Sequence, residues 1–246
     1  MKISAVIITK NEERNIGRCL AALDGVADEA IVVDTFSEDK TLEICKEYGA
    51  RVISKEWLGY SATKNFANDQ AEYPYILSLD ADEALSETLK ESILAVKNEL
   101  KGVYSFNRLA YYCGKPIHRA GWYPDRKVRL FPKGGAKWEG AYVHEELVPA
   151  ADQTETWLEG DLLHYTYYTV DEHRERARRY AKLAVEQLKS KSKGTLFIKG
   201  VFSPIWRFLQ MYVIRLGFLE GWRGFRISAI TAREVAWKYW GAFSRS

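Results

Sequence analysis

The sequence predicts an α/β fold: a mostly parallel sheet with helices on both faces, followed by a C-terminal helical extension. Three observations carry that expectation. Short β-branched apolar runs alternate with amphipathic stretches through the first hundred residues. Polar, acid-bearing clusters stand where those runs end. From Val170 onward the periodicity is helical and the charge strongly basic. A chain of 246 residues, 47% hydrophobic and 28% charged, has ample material for a sizeable core.

Ile3–Thr9 is a continuous apolar run, the pattern of a strand covered on both faces. Asn11-Glu12-Glu13 supplies helix-start chemistry before Ile16, Cys19, Leu20 and Leu23, which recur at helical spacing. Ala30–Asp34 reads as a second strand, Ser37–Tyr48 as a helix, Arg51–Ser54 as a short third strand and Gly59–Gln70 as a helix. Tyr75–Leu79 is a fourth strand, ending at Asp80, and Ser86–Leu100 a further helix. After residue 102 the texture changes. Val103–Tyr112 and Lys127–Phe131 read as strands around an aromatic loop, Gly114–Asp125, and Leu162–Tyr165 as another short strand. Residues 170–190 and a pair of helices over 196–241 complete the chain. The predicted domains are 1–169, binding donor and acceptor, and 170–246, a basic amphipathic extension.

The net charge of +3 conceals an asymmetry. Residues 174–246 hold sixteen Lys and Arg against four acids, a net of +12, while residues 1–173 hold twenty against twenty-nine, a net of −9. A basic region on an acidic body predicts an anionic partner for that region. Cys19, Cys45 and Cys113 form no metal or disulfide spacing and read as free thiols in a reducing compartment. The apolar run after Met1-Lys2 is too short for a secretory leader, so a cytoplasmic location is expected, on the inner face of the inner membrane if the extension binds lipid. The uncharged run between Arg207 and Arg215 is far below the ~20 residues of a spanning helix. The aromatic, Arg-punctuated helices suit either the surface of an anionic membrane, or packing on the body or a second subunit in a homo-oligomer.

The sharpest chemical signal is Asp80-Ala81-Asp82-Glu83 directly after an apolar strand. Two carboxylates one residue apart at a strand end can share a hard cation, Mg²⁺ or Mn²⁺, that also takes diphosphate oxygens. Such a cation neutralises charge on a departing nucleoside diphosphate. A solvated turn capping the next helix has the same residues. Thr9, Asn11 and Glu12 after the first strand, and Asp34 ending the second, are placed to grip a base and ribose at the same sheet edge.

The run Val6-Ile7-Ile8-Thr9-Lys10-Asn11-Glu12-Glu13-Arg14-Asn15-Ile16 resembles the opening of family 2 inverting glycosyltransferases of the GT-A fold. So do Ile31–Thr41, Ala62-Thr63-Lys64-Asn65 and Leu79-Asp80-Ala81-Asp82-Glu83. Arg129-Leu130-Phe131, Trp138-Glu139-Gly140 and Val143-His144-Glu145 are similar to a subgroup typified by lipopolysaccharide core glucosyltransferases, as is the later block from Tyr212 to Gly224. The resemblance implies that Thr9, Asn11 and Asp34 hold the nucleoside and that Lys64 lies near base and phosphates. It further implies that Asp80 meets ribose or metal and that Asp82 ligates the metal. Phe36 departs from the family's usual Gly or Ser.

Inverting transfer needs a base on the acceptor side. Glu145 is the first candidate, since it follows His144 in the subgroup block; Asp125 is the second, and Glu146 a neighbour of the first. His144 or His164 can complete the metal shell or contact phosphate, and His118 can touch the acceptor. Tyr111, Tyr112, Trp122, Tyr123 and Trp138 offer faces for sugar rings or simply core. The expected donor is a UDP-hexose, UDP-glucose first, and the acceptor a lipid-linked cell-envelope glycan such as an inner lipopolysaccharide core. A sugar nucleotidyltransferase is the rival enzyme, but no glycine follows the first strand to approach a triphosphate. The non-enzymatic rival is a nucleic-acid-binding module using the basic tail; the acidic body and the absence of a recognition motif count against it, so no nucleic-acid partner is expected.

Overall fold

The computed structural model describes every residue except 141–144, 189 and 246. The α/β class expected from the sequence is found. In order the elements are β1 (Ile3–Thr9), α1 (Ile16–Ala21), β2 (Glu29–Asp34), α2 (Thr41–Glu47), β3 (Arg51–Ser54), α3 (Tyr60–Asp69), β4 (Tyr75–Asp80), β5 (Glu83–Leu85) and α4 (Glu87–Val96). There follow β6 (Val103–Tyr112), β7 (Lys115–Pro116), β8 (Arg126–Pro132), β9 (Ala136–Glu139), β10 (Glu146–Pro149) and β11 (Glu155–Tyr167). The helices α5 (Val170–Glu186), α6 (Lys193–Leu209) and α7 (Trp222–Phe243) end the chain.

Among the described residues the main sheet runs β3-β2-β1-β4-β8-β6-β11-β5, with β7 on β6. The parallel core anticipated from the apolar runs is β3-β2-β1-β4. Beyond β4 the pairs β4–β8, β6–β8, β6–β7 and β5–β11 are antiparallel, so the sheet as a whole is mixed. This second half is built by short connections and half-apolar strands, which leave a weaker sequence signature than the buried parallel runs.

The chain folds as two compact units, residues 1–108 with 125–164, and residues 109–124 with 165–246. In the first unit, Val6 of β1 packs with Ile31, Val33, Ala67, Ile76, Phe131 and Trp138, while its alternate neighbours Ile3, Ala5 and Ile7 are equally buried. Period-two alternation sends those neighbours to the opposite face. That is why the strand reads as an almost continuous apolar run. Ser86 then fixes the far edge: its Oγ accepts the Leu89 N–H as the cap of α4 and the Asp161 N–H of β11. Gly160 is required there, because φ is +101° and a Cβ would collide with the Leu89 backbone. The β5–β11 register, with His164 opposite Glu83, follows from this anchor.

The second unit is mainly helical. Thr169 and Glu172 close a reciprocal capping box at the start of α5. His173, in the first turns of that helix, is buried, with Nδ1 3.3 Å from the Tyr112 hydroxyl. Tyr112, Ile117, Ala120, Met211 and Ile227 form its core. Among the described residues no helix is long and apolar enough to cross a membrane.

Candidate active site

The strand ends β1, β2 and β4 place their polar residues along one edge of the parallel core, as the register Thr9↔Asp34 and Ile8↔Asp80 requires. The loop after β1 and the loop after β2 are joined across their length. The Asn11 N–H donates to Ser37 Oγ at 2.8 Å and Asn11 Oδ1 accepts the Glu38 N–H at 2.8 Å. The Glu12 N–H donates to Thr41 Oγ1 at 2.8 Å, and Glu13 both donates to Asp39 and accepts from the Lys40 N–H. Asn11 sits at φ +53°, where Asn is among the better-tolerated residues, and Phe36 at φ +62°. Phe36 is thus a bulky residue in a turn geometry that suits glycine, its side chain directed to solvent.

Asp34 is fully buried, and its carboxylate accepts the N–H and the hydroxyl of Ser37. Thr9 is almost fully buried, and its Oγ1 has no hydrogen-bond partner among the described residues. Glu12 accepts the Asn15 side-chain amide at 2.7 Å. Of the sequence-predicted nucleoside residues, then, Asn11, Glu12 and Asp34 are engaged in holding their loops, and Thr9 keeps an unused hydroxyl.

The Asp80–Glu83 segment carries the densest network. Lys64 of α3, 3% exposed, has its Nζ 2.7 Å from Asp80 Oδ1 and 4.1 Å from the Trp138 ring centre. Arg129 of β8 reaches Asp80 at 3.4 Å and Glu83 at 3.0 Å. Glu83 also accepts the Asp80 N–H at 2.9 Å and stands 3.7 Å from Arg108. Burial by itself would raise the Asp80 pKa, but the Lys64 and Arg129 charges outweigh it and hold the carboxyl well below the usual range. Burial likewise opposes the Arg129 charge, and Glu83 with Asp80 restores it. An ion network this deep is costly to assemble and costly to break, because each removed partner strands a buried charge.

Asp82 lies outside that network. Its Oδ2 is 3.2 Å from His164 Nε2 of β11, and both side chains are partly exposed. Glu145 stands on the other side of Lys64. One of its oxygens is 4.0 Å from Nζ, and the other is buried with no partner among the described residues. Asp125 is held by two bonds from Arg108, at 2.8 and 2.9 Å, and by Lys127 at 3.0 Å. Glu146 is exposed in β10, opposite Glu139. Among the described residues Asp80, Glu83, Asp125 and Glu145 are thus faced by Lys64, Arg108, Lys127 and Arg129, four carboxylates to four cations, while Asp82 stands apart beside His164.

His144 lies outside the described residues. Among the described residues no group of three His, Cys, Asp or Glu side chains is gathered tightly enough to form a metal cage. Asp82 and His164 nevertheless offer an oxygen and a nitrogen donor side by side. Mg²⁺ and Mn²⁺ are commonly held by one or two protein donors with phosphates and waters completing the shell, so this donor set fits such an ion. His118, Tyr111, Tyr112, Trp122 and Tyr123 fall in the second unit, and Trp138 in the first, where its indole N–H meets Ser78 at 3.3 Å.

The roles of Arg129, Glu83 and Arg108 are almost illegible in residue order alone. The one available hint was an arginine inside the apolar run Val128-Arg129-Leu130-Phe131, a placement that requires a buried acid as partner. Asn65, clamping the Trp138 backbone by two hydrogen bonds at 2.8 and 2.9 Å, was equally hidden.

The model of the family described as glycosyl transferase family 2 matches residues 4–141. An uncharacterised glycosyltransferase of Rickettsia typhi is 33% identical over 242 residues, covering 94% of this chain and 83% of that protein. The lipopolysaccharide core biosynthesis glycosyltransferase LpsC of Rhizobium meliloti is 29% identical over 251 residues, covering 96% of this chain and 92% of its own. Among solved structures, that of S. aureus TarS in complex with UDP aligns at a TM-score of 0.48 and 18% identity, over 98% of this chain and 92% of that one.

Proposed function

The chain belongs to glycosyltransferase family 2, and on that premise we propose that it transfers a hexose, with inversion, from a UDP-sugar to a hydroxyl of a lipid-linked envelope glycan. The observation that carries this reading is the placement of the Asp82–His164 pair and the Lys64–Asp80 pair on one strand end, with a Glu145 oxygen that has no partner among the described residues on the same Lys64. UDP-glucose is the first donor to test. The relative from Rhizobium meliloti, named for lipopolysaccharide core biosynthesis, supports a core-sugar acceptor.

In this reading Thr9, Asn11, Glu12 and Asp34 line the nucleoside, the buried Thr9 hydroxyl being the group left for a ligand to satisfy. Asp82, with His164 and in reach of Asp80, would hold Mg²⁺ or Mn²⁺, which supplies charge neutralisation at the diphosphate when bound. Lys64 keeps Asp80 ionised and oriented and adds positive charge beside the leaving group. Glu145 takes the acceptor proton while the acceptor oxygen attacks the anomeric carbon from the face opposite the leaving diphosphate. Its oxygen with no partner among the described residues suits that task better than the Asp125 carboxylate, which Arg108 and Lys127 occupy.

Calorimetric titration of the protein and of Asp82→Ala with UDP, with and without Mn²⁺, tests the donor site. Metal-dependent binding that is lost in the variant is the expected result. Equal binding by both proteins would remove Asp82 from the metal, and no binding to either would remove UDP as the donor nucleotide.

A further inference from the structure

Within the second unit, α6 runs into a π-helical turn, Gln210–Ile214, and a short 3₁₀ turn, Gly217–Glu220, before α7 begins. π-Helical turns concentrate at functional sites. Leu216 stands in the left-handed region at φ +54°, and this reversal aims the Arg215 side chain back toward Gly121. A Cβ on Gly121, itself at φ +77°, would lie 2.4 Å from an Arg215 guanidinium nitrogen, so only glycine leaves Arg215 in place. The Ala120 N–H donates to the Arg215 carbonyl at 2.9 Å and fixes the loop to the turn. His118, Arg119, Gly121, Tyr123 and Arg215, with Ile214 and Leu216 at the rim, enclose an open cavity of about 330 Å³. Neither arginine has a carboxylate partner among the described residues. Glu220, the nearest acid in sequence, is engaged by the His118 backbone N–H at 3.0 Å.

The helix and turns that lead from this cationic cavity are apolar on their exposed surface. Phe202, Ile205 and Trp206 recur at helical spacing along α6, Ile214 stands at the cavity rim, and Leu219 and Trp222 follow; each is more than half exposed, an accumulation well beyond scattered surface hydrophobics. Residues 193–226 carry six Lys or Arg against one acid. Apposition of two copies through such a face would bring unpaired arginines against one another, which disfavours a second subunit as its cover. A lipid surface satisfies both features: acyl chains receive the aromatic and aliphatic side chains, and headgroup phosphates receive the guanidinium groups.

We propose that this face of the second unit docks on an anionic bilayer and that the cavity between Arg119 and Arg215 seats one lipid phosphate headgroup. The site is independent of the donor residues, so its failure and the failure of the transferase reading are separable.

Vesicle co-sedimentation of the intact protein, with phosphatidylcholine alone and with phosphatidylcholine mixed with phosphatidylglycerol, tests it. The expected result is binding to the mixed vesicles, with a blue shift of tryptophan emission. The double variant Arg119→Gln/Arg215→Gln should weaken that binding by roughly thirtyfold. The charge-matched double variant Lys193→Gln/Lys199→Gln, away from the cavity, should weaken it much less. Leu219→Ser should reduce the emission shift while UDP binding stays unchanged. Equal losses from the two double variants would reduce the cavity to diffuse electrostatics and overturn the headgroup site. Binding of inorganic phosphate without vesicle binding, or concentration-dependent dimerisation with no vesicle binding, would overturn the membrane surface itself.

Discussion

The two units use the same ingredients, tryptophan and basic side chains, in opposite ways. In the first unit Trp138 is buried, with Lys64 at 4.1 Å from its ring centre and Arg129 at 5.0 Å, and both cations are matched to carboxylates. In the second, Trp206 and Trp222 face solvent, and Arg119 and Arg215 have no carboxylate partner among the described residues. The buried arrangement fixes charge in place before any ligand arrives, as chemistry on a charged leaving group demands. The exposed one leaves charge and apolar area unsatisfied, as a surface awaiting a partner does.

Changes at the buried network should therefore be felt as catalysis or folding, and the largest is expected at Glu145. Glu145→Gln should lower the transfer rate by about a thousandfold while UDP still binds, read from initial rates beside calorimetry. Asp125→Asn is the counter-test: it should leave the rate within a few-fold, and a loss equal to that of Glu145→Gln would move the base to Asp125.

Next in size is Lys64→Met, which leaves Asp80 with Arg129 alone and should destabilise the first unit by about 3 kcal/mol in denaturant titration. A smaller effect separates the units by pH. The Asp80 pKa is lowered in the folded chain, so its stabilisation is complete above pH ~4 and is lost as pH falls further. His173 behaves differently. Burial, aided by Arg176, lowers its pKa from 6.5 to about 4, so the unfolded chain binds the extra proton across that window and stability declines from pH 6.5 down to 4. His173→Gln should flatten that upper limb by up to roughly 2 kcal/mol and leave the lower one, while Lys64→Met should flatten only the lower. Smallest of all, Lys127→Gln should cost under ~1 kcal/mol, since Arg108 still holds Asp125 through two bonds.

Much of the first half of the fold could be read from residue order. Ile3–Thr9 and Tyr75–Leu79 are largely apolar because nearly every residue of both strands is buried, and the acids at Asp34 and Asp80 mark where β2 and β4 stop. The carboxylates of the site were visible for the same reason. Their partners were not. Arg129 meets Glu83 only because β8 pairs with β4 in one antiparallel register, and His164 meets Asp82 only because Ser86 and Gly160 tie β11 to α4. Such pairings join residues 46 to 82 positions apart and leave no local periodicity to read. Three-residue β5 is invisible for a different reason: Glu83-Ala84-Leu85 is too short to show any period. Residues 109–124 illustrate a further limit, since nothing in their composition tells that they fold with 165–246.

The backbone and side-chain bonds between the loops after β1 and β2 have a consequence for ligand capture. Five hydrogen bonds link residues 11–13 to residues 37–41, so the rim is already ordered when a nucleotide arrives. Little chain entropy then remains to be lost on binding, and the association should be fast and lock-like rather than adaptive. The same rigidity makes the rim intolerant of length change. One residue inserted in either loop would throw all five bonds out of step, although both loops are at the surface, where insertions are ordinarily absorbed.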